Sequence, residues 1–223
     1  MSASAPLDPA APAAPVNLWS ESAWAQRYLR ERDDIPHRIE GFAVLMELLP
    51  ETPRRVLDLG TGDGYTFGLV RTAHPNVEGV GLDFSAEMLG RARDRFDGDA
   101  GVEIVEHDLD RPLPQLGRFD LVVSSFAIHH CVDARKRALY GEVFELLEPD
   151  GRFLNLEHVA SPTPALHVAF LAAIGKTPAE DDPSNKLVAV DTQLAWLRDI
   201  GFVDVDCHWK WRELALLAGV KPR

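Results

Sequence analysis

Between residues 54 and 159, short apolar runs alternate with stretches of helical periodicity, and this rhythm limits the folds that the chain can adopt. The apolar runs are RRVLDLG, VEGVGLDF, VEIVEHDL, FDLVVSSF and GRFLNLEHV. Runs that are apolar at nearly every position are typical of parallel strands covered on both faces. Strands of this kind, separated by helices, predict a doubly wound α/β domain.

The segments between and after these runs fit the same interpretation. Helices are predicted over residues 66–74, 86–96 and 192–200 and from Asp133 onward, with Ser85 and Gly201 as caps. The run FVDVDCHWKW alternates as a strand does, and LALLAGV fits either a last strand or a short helix. Trp209 and Trp211 lie on one face of the run FVDVDCHWKW and are expected to pack in the core or against a pocket.

The chain of 223 residues is long enough for one large domain, which we expect over residues 17–223. Residues 1–16 are an Ala/Pro/Ser tract without periodicity, and this predicts a disordered tail. Residues 17–50 carry two helical patterns. Residues 161–190 break the alternation with four prolines and an acidic run, so we interpret them as an inserted helix plus loop.

The charge balance disfavours two classes of partner. The chain has 23 basic and 35 acidic residues, a formal net charge of −12, and such a surface repels nucleic-acid phosphates and anionic lipids. Arg91, Arg93 and Arg95 cluster, but they alternate with apolar residues on a predicted helix and are expected to form a solvated face.

The remaining composition indicates a cytoplasmic protein. No apolar run is long enough to span a membrane, and the N-terminus lacks the basic start and apolar stretch of a signal peptide. Cys131 and Cys207 lie far apart, without the spacing of a metal or redox motif, which is consistent with a reducing cytosol.

A glycine-rich loop follows the first predicted strand, in the segment VLDLGTGDG. Glycines at this position let a nucleotide-like ligand approach the backbone at the carboxyl end of the strand. The spacing is G-x-G-x-G and Tyr65 follows, so the dinucleotide fingerprint G-x-G-x-x-G is not met. A nicotinamide or flavin dinucleotide is therefore a poor fit.

Two aspartates follow the next two strands. Asp83 ends the second strand, where a carboxylate can accept hydrogen bonds from both ribose hydroxyls or, alternatively, cap a helix. Asp108 follows the third strand, where it can accept a hydrogen bond from an exocyclic amine such as that of adenine. Neither residue alone identifies a ligand, because aspartates end many strands.

Taken together, VLDLGTGDG, GLDFS, EHDL and FDLVVSSFAIHH resemble the successive motifs of class I S-adenosylmethionine-dependent methyltransferases over about residues 40–160. The resemblance implies a seven-stranded sheet with an antiparallel last strand and S-adenosyl-L-methionine as cofactor. The residues that it assigns to cofactor binding are Asp58, Gly60, Thr61, Gly62, Asp83, Phe84, Met88, Asp108, Leu109 and Ser125.

The resemblance also implies individual roles. The glycine loop would contact the methionine and ribose portions, and Asp58 would anchor that loop or reach the amino group through water. Asp83 would bind the ribose and Asp108 the adenine amine, while Met88 would pack on the adenine ring. Ser125 would lie beside the methionine portion. No metal is implied.

A closer similarity is to small methyltransferases of the type-11/type-12 group, which implies O- or N-methylation of a small-molecule acceptor by a monomer or homodimer. The chain is also distantly similar to enzymes that make carboxy-S-adenosylmethionine and use an extra arginine in the insert. Residues 161–190 contain no arginine, so the ordinary cofactor is favoured. An adenosyl-binding protein without catalysis and a tRNA or protein methyltransferase remain as alternatives.

Four side chains near the ends of the fourth and fifth strands are candidates for acid–base work: His129, His130, Glu157 and His158. A hydroxyl acceptor needs a base, and an imidazole suits that task. Ile128 is expected to turn back into the core, which would leave His129 pointing into the crevice, so His129 is preferred over His130. The adjacent histidines lack the ligand spacing of a tetrahedral metal site, so a metal site is a poor interpretation of this segment.

Segments outside the sheet are expected to cover the acceptor. The helices of residues 17–50 and the insert of residues 161–190 are not needed for the core of a doubly wound sheet, and the insert leaves the fifth strand at its ligand-bearing end. Trp19, Trp24 and Tyr28 add apolar surface that could exclude water. We therefore predict that the two segments form a lid.

Overall fold

The computed structural model describes residues 22–31 and 34–223. The predicted tail of residues 1–16 and Trp19 lie outside the described residues, as do the side chains of Trp24 and Tyr28. Within the two described ranges, no helix combines the length and apolarity that crossing a membrane requires.

The described ranges form seven strands and seven α-helices. The strands are β1 Arg55–Leu59, β2 Glu78–Asp83, β3 Val102–Glu106, β4 Phe119–Ser125, β5 Leu147–His158, β6 Val203–Trp211 and β7 Leu214–Val220. The helices are α1 Ser22–Glu31, α2 Arg38–Glu47, α3 Tyr65–Ala73, α4 Ala86–Arg95, α5 Asp133–Leu146, α6 Pro164–Ala173 and α7 Val190–Ile200. Two short 3₁₀ turns, Ile128–His130 and Pro178–Glu180, complete them.

Most predicted elements are present, with shifts at their ends. LALLAGV is a strand and not a helix, because it pairs with β5 on one side and β6 on the other. Asp133 is the first residue of α5, and the N-cap position belongs to Val132. The helix ends at Leu146, and Leu147 begins β5 without a connecting loop. Gly201 ends α7 with φ 119°, as its cap role predicts.

The strand order is β3-β2-β1-β4-β5-β7-β6. β7 runs antiparallel to both of its neighbours, and the other pairings in the sheet are parallel. The predicted doubly wound, mainly parallel seven-stranded sheet is therefore confirmed. The order reverses between β1 and β4, and open α/β sheets bind ligands at the carboxyl ends of their strands at such a point.

Two apolar layers cover the sheet, one on each face. Leu57 of β1 packs with α5 and α7 residues such as Tyr140, whereas its neighbour Val56 packs with Phe42 of α2 and Phe67 of α3. Successive residues of a strand point to opposite faces, so both sets must be apolar. This double burial explains the uninterrupted apolar runs.

The N-terminal helices and the insert lie outside the alternating βα pattern and pack against the rest of the domain. α2 lies against β5, β6 and β7, and α1 lies beside α4. Trp209 and Trp211 pack with Phe170, Leu171 and Leu214 in a small cluster under α6, which confirms the core packing predicted for them. The N-terminal helix pair and the insert are thus in contact with the main domain.

The loops after β1 and β4 approach each other more closely than any side chain would allow. Gly60 has φ +67°, and a Cβ built on it would lie 2.1 Å from the Cβ of Ala127. Only glycine combines that backbone conformation with that approach at little cost. The contact brings the glycine loop against residues 127–130, which carry the two histidines and which we call the histidine segment.

Substitution of Gly60 by Ala should therefore lower the free energy of unfolding by about 1–3 kcal/mol, the range expected for overpacking and left-handed strain. The matched control is Gly90→Ala in the middle of α4, where an added Cβ meets no atom within 4 Å. That change should stabilise the protein by about 0.5–1 kcal/mol. Urea denaturation of both variants measures the difference, and equal stabilities would contradict the proposed constraint at Gly60.

Candidate functional site

A partly enclosed cavity opens at the carboxyl edge of the sheet, at the reversal between β1 and β4. Nine of the ten residues predicted to bind the cofactor line it: Gly60, Thr61, Gly62, Asp83, Phe84, Met88, Asp108, Leu109 and Ser125. These residues lie at or after the carboxyl ends of β1, β2, β3 and β4. The cavity therefore runs along the strand ends, where open α/β sheets bind their ligands.

Asp58 is the predicted residue that does not line the cavity. It is fully buried in β1 and accepts a hydrogen bond from Thr61 Oγ1 at 2.7 Å. Burial raises the pKa of its carboxyl group to about 7. Of the two roles that the sequence left open, the structure shows the anchoring of the glycine loop.

Asp83 both lines the cavity and holds its walls together. Its Oδ2 accepts a hydrogen bond from the backbone N–H of Gly62 at 2.9 Å, and its Oδ1 accepts one from that of Ser85 at 2.8 Å. Burial raises the pKa of this carboxyl group, against the opposing effect of the two hydrogen bonds. The same carboxylate therefore joins the loop after β1 to the start of α4.

The adjoining walls are less charged. Asp108 is half-buried and accepts a hydrogen bond from the backbone N–H of Asp110 at 3.0 Å. Met88 and Leu109 supply buried apolar surface. At the β4 side, Ser125 Oγ lies 2.7 Å from Thr66 Oγ1. The cavity thus has acidic groups toward β2 and β3 and hydroxyl groups toward β4.

Arg38 lines the cavity from α2, and the sequence analysis missed it. The side chain is buried, and its guanidinium lies 4.8 Å from the ring centre of Phe42 and 5.5 Å from those of Tyr65 and Phe126. Aromatic faces attract and orient such a cation. No local motif marks this arginine, because its place in the site depends on how α2 packs against the sheet.

The three arginines of α4 are exposed, as predicted for a solvated basic face, and Arg95 also contacts the glycine loop. Its Nε donates to the backbone oxygen of Asp63 at 2.7 Å, and its Nη2 donates to Asp63 Oδ2 at 2.9 Å. Arg91 pairs instead with Glu87 one turn earlier, and Arg93 is exposed. Arg95 therefore holds the glycine loop from its solvent side, which Arg91 and Arg93 do not contact.

The two candidate catalytic histidines occupy different places. Ile128 is fully buried, as expected, but His129 is also buried and does not line the cavity. Its Nδ1 lies 2.6 Å from Oε1 of Glu157 at the end of β5. The expectation that His129 points into the crevice is wrong in this respect. His130 lines the cavity instead.

The His129–Glu157 pair is held in a low-dielectric environment. Burial raises the pKa of Glu157 to about 7. Burial, and then the nearby His158, lowers the pKa of His129 well below 6.5. Both shifts favour the uncharged forms of the two side chains, which remain within hydrogen-bond distance of each other.

The fourth candidate, His158, belongs to a second acid–histidine group that fastens the insert. Its Nε2 lies 2.9 Å from Oε2 of the fully buried Glu213. His167 of α6 contributes Nδ1 at 3.0 Å from Glu213 Oε1 and Nε2 at 3.3 Å from Asp181 Oδ2. These contacts tie the insert to the ends of β5 and β7.

Metal ligation has little support in the part of the chain that the structure describes. Across residues 22–31 and 34–223, no three or more His, Cys, Asp or Glu side chains cluster so as to hold an ion. Cys131 lines the cavity, but burial raises the pKa of its thiol to about 12, so it is protonated at neutral pH.

Comparison with known proteins agrees with this geometry. Residues 56–151 match the family described as a methyltransferase domain. The demethylmenaquinone methyltransferase of Thermus thermophilus is 34% identical over 125 residues, which is 55% of this chain and 55% of that protein. The aligned part thus spans little more than half the length of this relative.

Solved structures share the architecture. An O-methyltransferase family protein from Burkholderia thailandensis superposes with a TM-score of 0.71 at 21% identity, over 92% of this chain and 61% of that one. Human N-acetylserotonin methyltransferase in complex with S-adenosylmethionine gives 0.62 at 17% identity, over 92% and 60%.

Residues 56–151 therefore match a methyltransferase domain, and the seven-stranded sheet has the fold of the solved methyltransferase structures. The matched residues begin in β1 and end in β5, so they include the four strands whose ends form the cavity.

The insert attachment should respond to pH through His167. Burial opposes its protonation, but the hydrogen bond to Glu213 and the charges of Glu213 and Asp181 outweigh burial and raise its pKa above 6.5. A raised pKa in the folded state stabilises the protein fully below pH 6.5, and this contribution is lost as the pH rises through the folded-state pKa.

His167→Gln should therefore lower the melting temperature more at pH 6 than at pH 9. The matched control is His208→Gln, since His208 is exposed on β6. Thermal denaturation of the wild type and both variants at the two pH values measures this difference. A loss for His167→Gln that is equal at both pH values would mean that its charge does not fasten the insert.

Proposed function

We propose that the protein transfers the methyl group of S-adenosylmethionine to an oxygen or nitrogen atom of a small-molecule acceptor. The observation that carries the proposal is the cavity at the strand-order reversal, where the glycine loop, Asp83 and Asp108 meet in the order of their strands. When bound, the cofactor supplies an electrophilic methyl group on a sulfonium.

The lining groups fit the chemistry of that cofactor. Gly62 leaves an open cradle, because an added Cβ would find its nearest neighbour, Met88 Sδ, 4.0 Å away. Asp108 is suited to accept from the adenine amine, and Asp83 from the ribose hydroxyls, since a carboxylate oxygen that holds one backbone N–H can accept a second hydrogen bond. Met88 offers a polarisable surface for the adenine ring.

Arg38 is suited to bind the carboxylate of the methionine portion. Its guanidinium is oriented by three aromatic rings, and the side chain lines the same cavity as Asp83 and Asp108. An arginine–carboxylate pair in such a buried place is charge-assisted and geometrically specific. Asp108 at one end and Arg38 at the other would then set the direction in which the cofactor lies.

The acceptor would enter beyond β4, where Phe126, Ala127, His130 and Cys131 line the cavity. Methyl transfer is an in-line displacement, so the protein's main tasks are to align acceptor and methyl and to exclude water. We propose that the N-terminal helices and the insert cover this end. Arg38 of α2 and the hydrogen bonds of the insert to the histidine segment support that placement.

The relative from Thermus thermophilus suggests one acceptor class to include in a search. That protein is named for demethylmenaquinone. The acceptors to be tested should therefore include hydroquinones as well as phenols, hydroxy acids and amines. A methyl group placed on carbon would be a variant of the proposal, in which a base removes the hydroxyl proton, the ring carbon attacks the methyl group as the C–S bond breaks, and that carbon then loses its proton.

The first test concerns cofactor binding. Asp83→Asn should weaken the binding of S-adenosylhomocysteine at least tenfold, because a hydrogen bond to a charged group contributes about 1.5–3 kcal/mol and a tenfold change is about 1.4 kcal/mol. The matched control is Asp120→Asn at the start of β4. Asp120 also accepts two backbone hydrogen bonds, from Arg54 and Arg55, but at the opposite edge of the sheet. Calorimetry in which both variants bind like the wild type would refute the assignment of Asp83.

The second test concerns catalysis. The protein is incubated with S-adenosylmethionine and a panel of phenols, hydroquinones, hydroxy acids and amines, with bulk tRNA and denatured protein as macromolecular arms. We expect S-adenosylhomocysteine release with a small hydroxyl or amine acceptor, and NMR of the product identifies the methylated atom. Tight cofactor binding with no release in any small-molecule arm would favour the adenosyl-binding alternative, and release with tRNA or protein alone would favour a macromolecular acceptor.

A further inference from the structure

The insert places a hydroxyl and a carboxylate directly behind His130. Ser184 Oγ lies 3.0 Å from His130 Nδ1 and 2.7 Å from Asp182 Oδ1. Asp182 Oδ1 also accepts the backbone N–H of Ser184 at 2.8 Å, which closes a tight turn over residues 182–184. His130, Ser184 and Asp182 thus form a continuous line from the cavity into the insert, which we call the His130 relay.

The hydrogen atoms of the His130 relay can be assigned. Hydrogen bonds hold the pKa of Asp182 below its usual value although burial opposes this, so Asp182 is a carboxylate. A hydroxyl has one hydrogen, and Ser184 donates it to Asp182. Ser184 Oγ must then accept from His130, which places the proton of the neutral imidazole on Nδ1. Nε2 is left as the nitrogen with the basic lone pair.

Independent contacts fix the relay on the histidine segment. The backbone N–H of Lys186 donates to the carbonyl of His129 at 2.9 Å. Lys186 Nζ donates to the carbonyl of His130, and the buried Lys136 Nζ donates to the carbonyl of Lys186. Ser184 is itself buried. The insert is therefore held so that the hydroxyl of Ser184 stays at His130.

We infer that His130 is the base that accepts the acceptor's proton, and that Ser184 and Asp182 are positioning residues that fix its tautomer and stabilise its charged form. This inference rests on the proposed function. It gives the insert a part in the reaction, because an insert that lifts away removes the relay from the base.

The step is balanced in protons and electrons. The acceptor O–H proton passes to Nε2 as the oxygen attacks the methyl carbon, the O–C bond forms and the C–S bond breaks with its electron pair on sulfur. The products are a methyl ether or ester, neutral S-adenosylhomocysteine and an imidazolium. Nδ1–H of that imidazolium keeps its bond to Ser184, and the Asp182 carboxylate stabilises the positive charge.

His129 is less suited to the same task. Its Nδ1 is engaged with Glu157, and the side chain lies behind His130 with ring centres 4.0 Å apart, outside the cavity lining. Burial lowers the pKa of His130 well below 6.5, and the nearby His129 and Lys186 lower it further. Asp182 and a hydrogen bond to the backbone of Ser184 oppose this shift. Removing the charge of Asp182 should therefore make His130 a weaker base.

A spectroscopic experiment tests the tautomer without any acceptor. Long-range ¹H–¹⁵N correlation spectra of the histidine-labelled protein are recorded free and with S-adenosylhomocysteine, and His130→Gln identifies the signals. We expect a protonated Nδ1 and an unprotonated Nε2 in the wild type, and Nε2–H in Ser184→Ala. Ser184→Thr, which keeps the hydroxyl, should restore the wild-type pattern. A wild-type imidazole with its proton on Nε2 would overturn the inference.

A kinetic experiment uses the hydroxyl acceptor found in the activity search. His130→Gln should lower kcat by about 10²-fold, the usual size of general-base assistance, and Ser184→Ala by about tenfold. Binding of S-adenosylhomocysteine should change less than twofold in both. The acid limb of kcat/KM should move to lower pH in Ser184→Ala and Asp182→Asn, because the relay favours the protonated imidazole.

The outcomes separate the two proposals. No turnover with any acceptor, together with the expected tautomer, would count against the proposed function and leave the relay supported. A full rate in His130→Gln and a large loss in His129→Gln would make His129 the base and overturn the inference. So would an unshifted pH profile in Ser184→Ala, because a merely structural serine would change stability and not the acid limb.

Discussion

The close approach of Gly60 and Ala127 is the constraint on which the site depends. It presses the loop after β1 against the loop after β4 at the place where the strand order reverses. Because no side chain fits between them, the glycine loop and the histidine segment share one cavity. Asp83 and Arg95 then hold the remaining sides of the glycine loop, the first from β2 and the second from α4.

Burial of polar groups has two effects in this molecule. Around the cavity, Asp58 and Asp83 are buried and are held by hydrogen bonds, and burial raises the pKa values of their carboxyl groups. Toward the insert it brings His129, Glu157, His158 and Glu213 together, where an unpaired charge would be costly. His129 therefore pairs with Glu157 and His158 with Glu213, and His167 joins the second pair and so connects the insert to the sheet.

Much of the fold and part of the site could be predicted from the sequence. The runs around Leu57 and Val122 are apolar at nearly every position because both faces of their strands are covered, so the pattern predicted the parallel sheet. Asp83 and Asp108 were found for a related reason: carboxyl ends of parallel strands meet at one edge. Arg38, Arg95 and Ser184 carried no such signal, since each reaches the site from an element whose position no local pattern specifies.

The sequence by itself determined the strands, the glycine loop and the class of domain, because periodicity and glycine conformations are local properties of the chain. The tertiary structure decided which of two adjacent histidines lines the cavity. His129 and His130 are equivalent in the sequence, and their directions depend on the 3₁₀ turn that carries them and on Glu157 and Ser184, which come from distant segments. Long-range contacts of that kind exist only once the chain has folded.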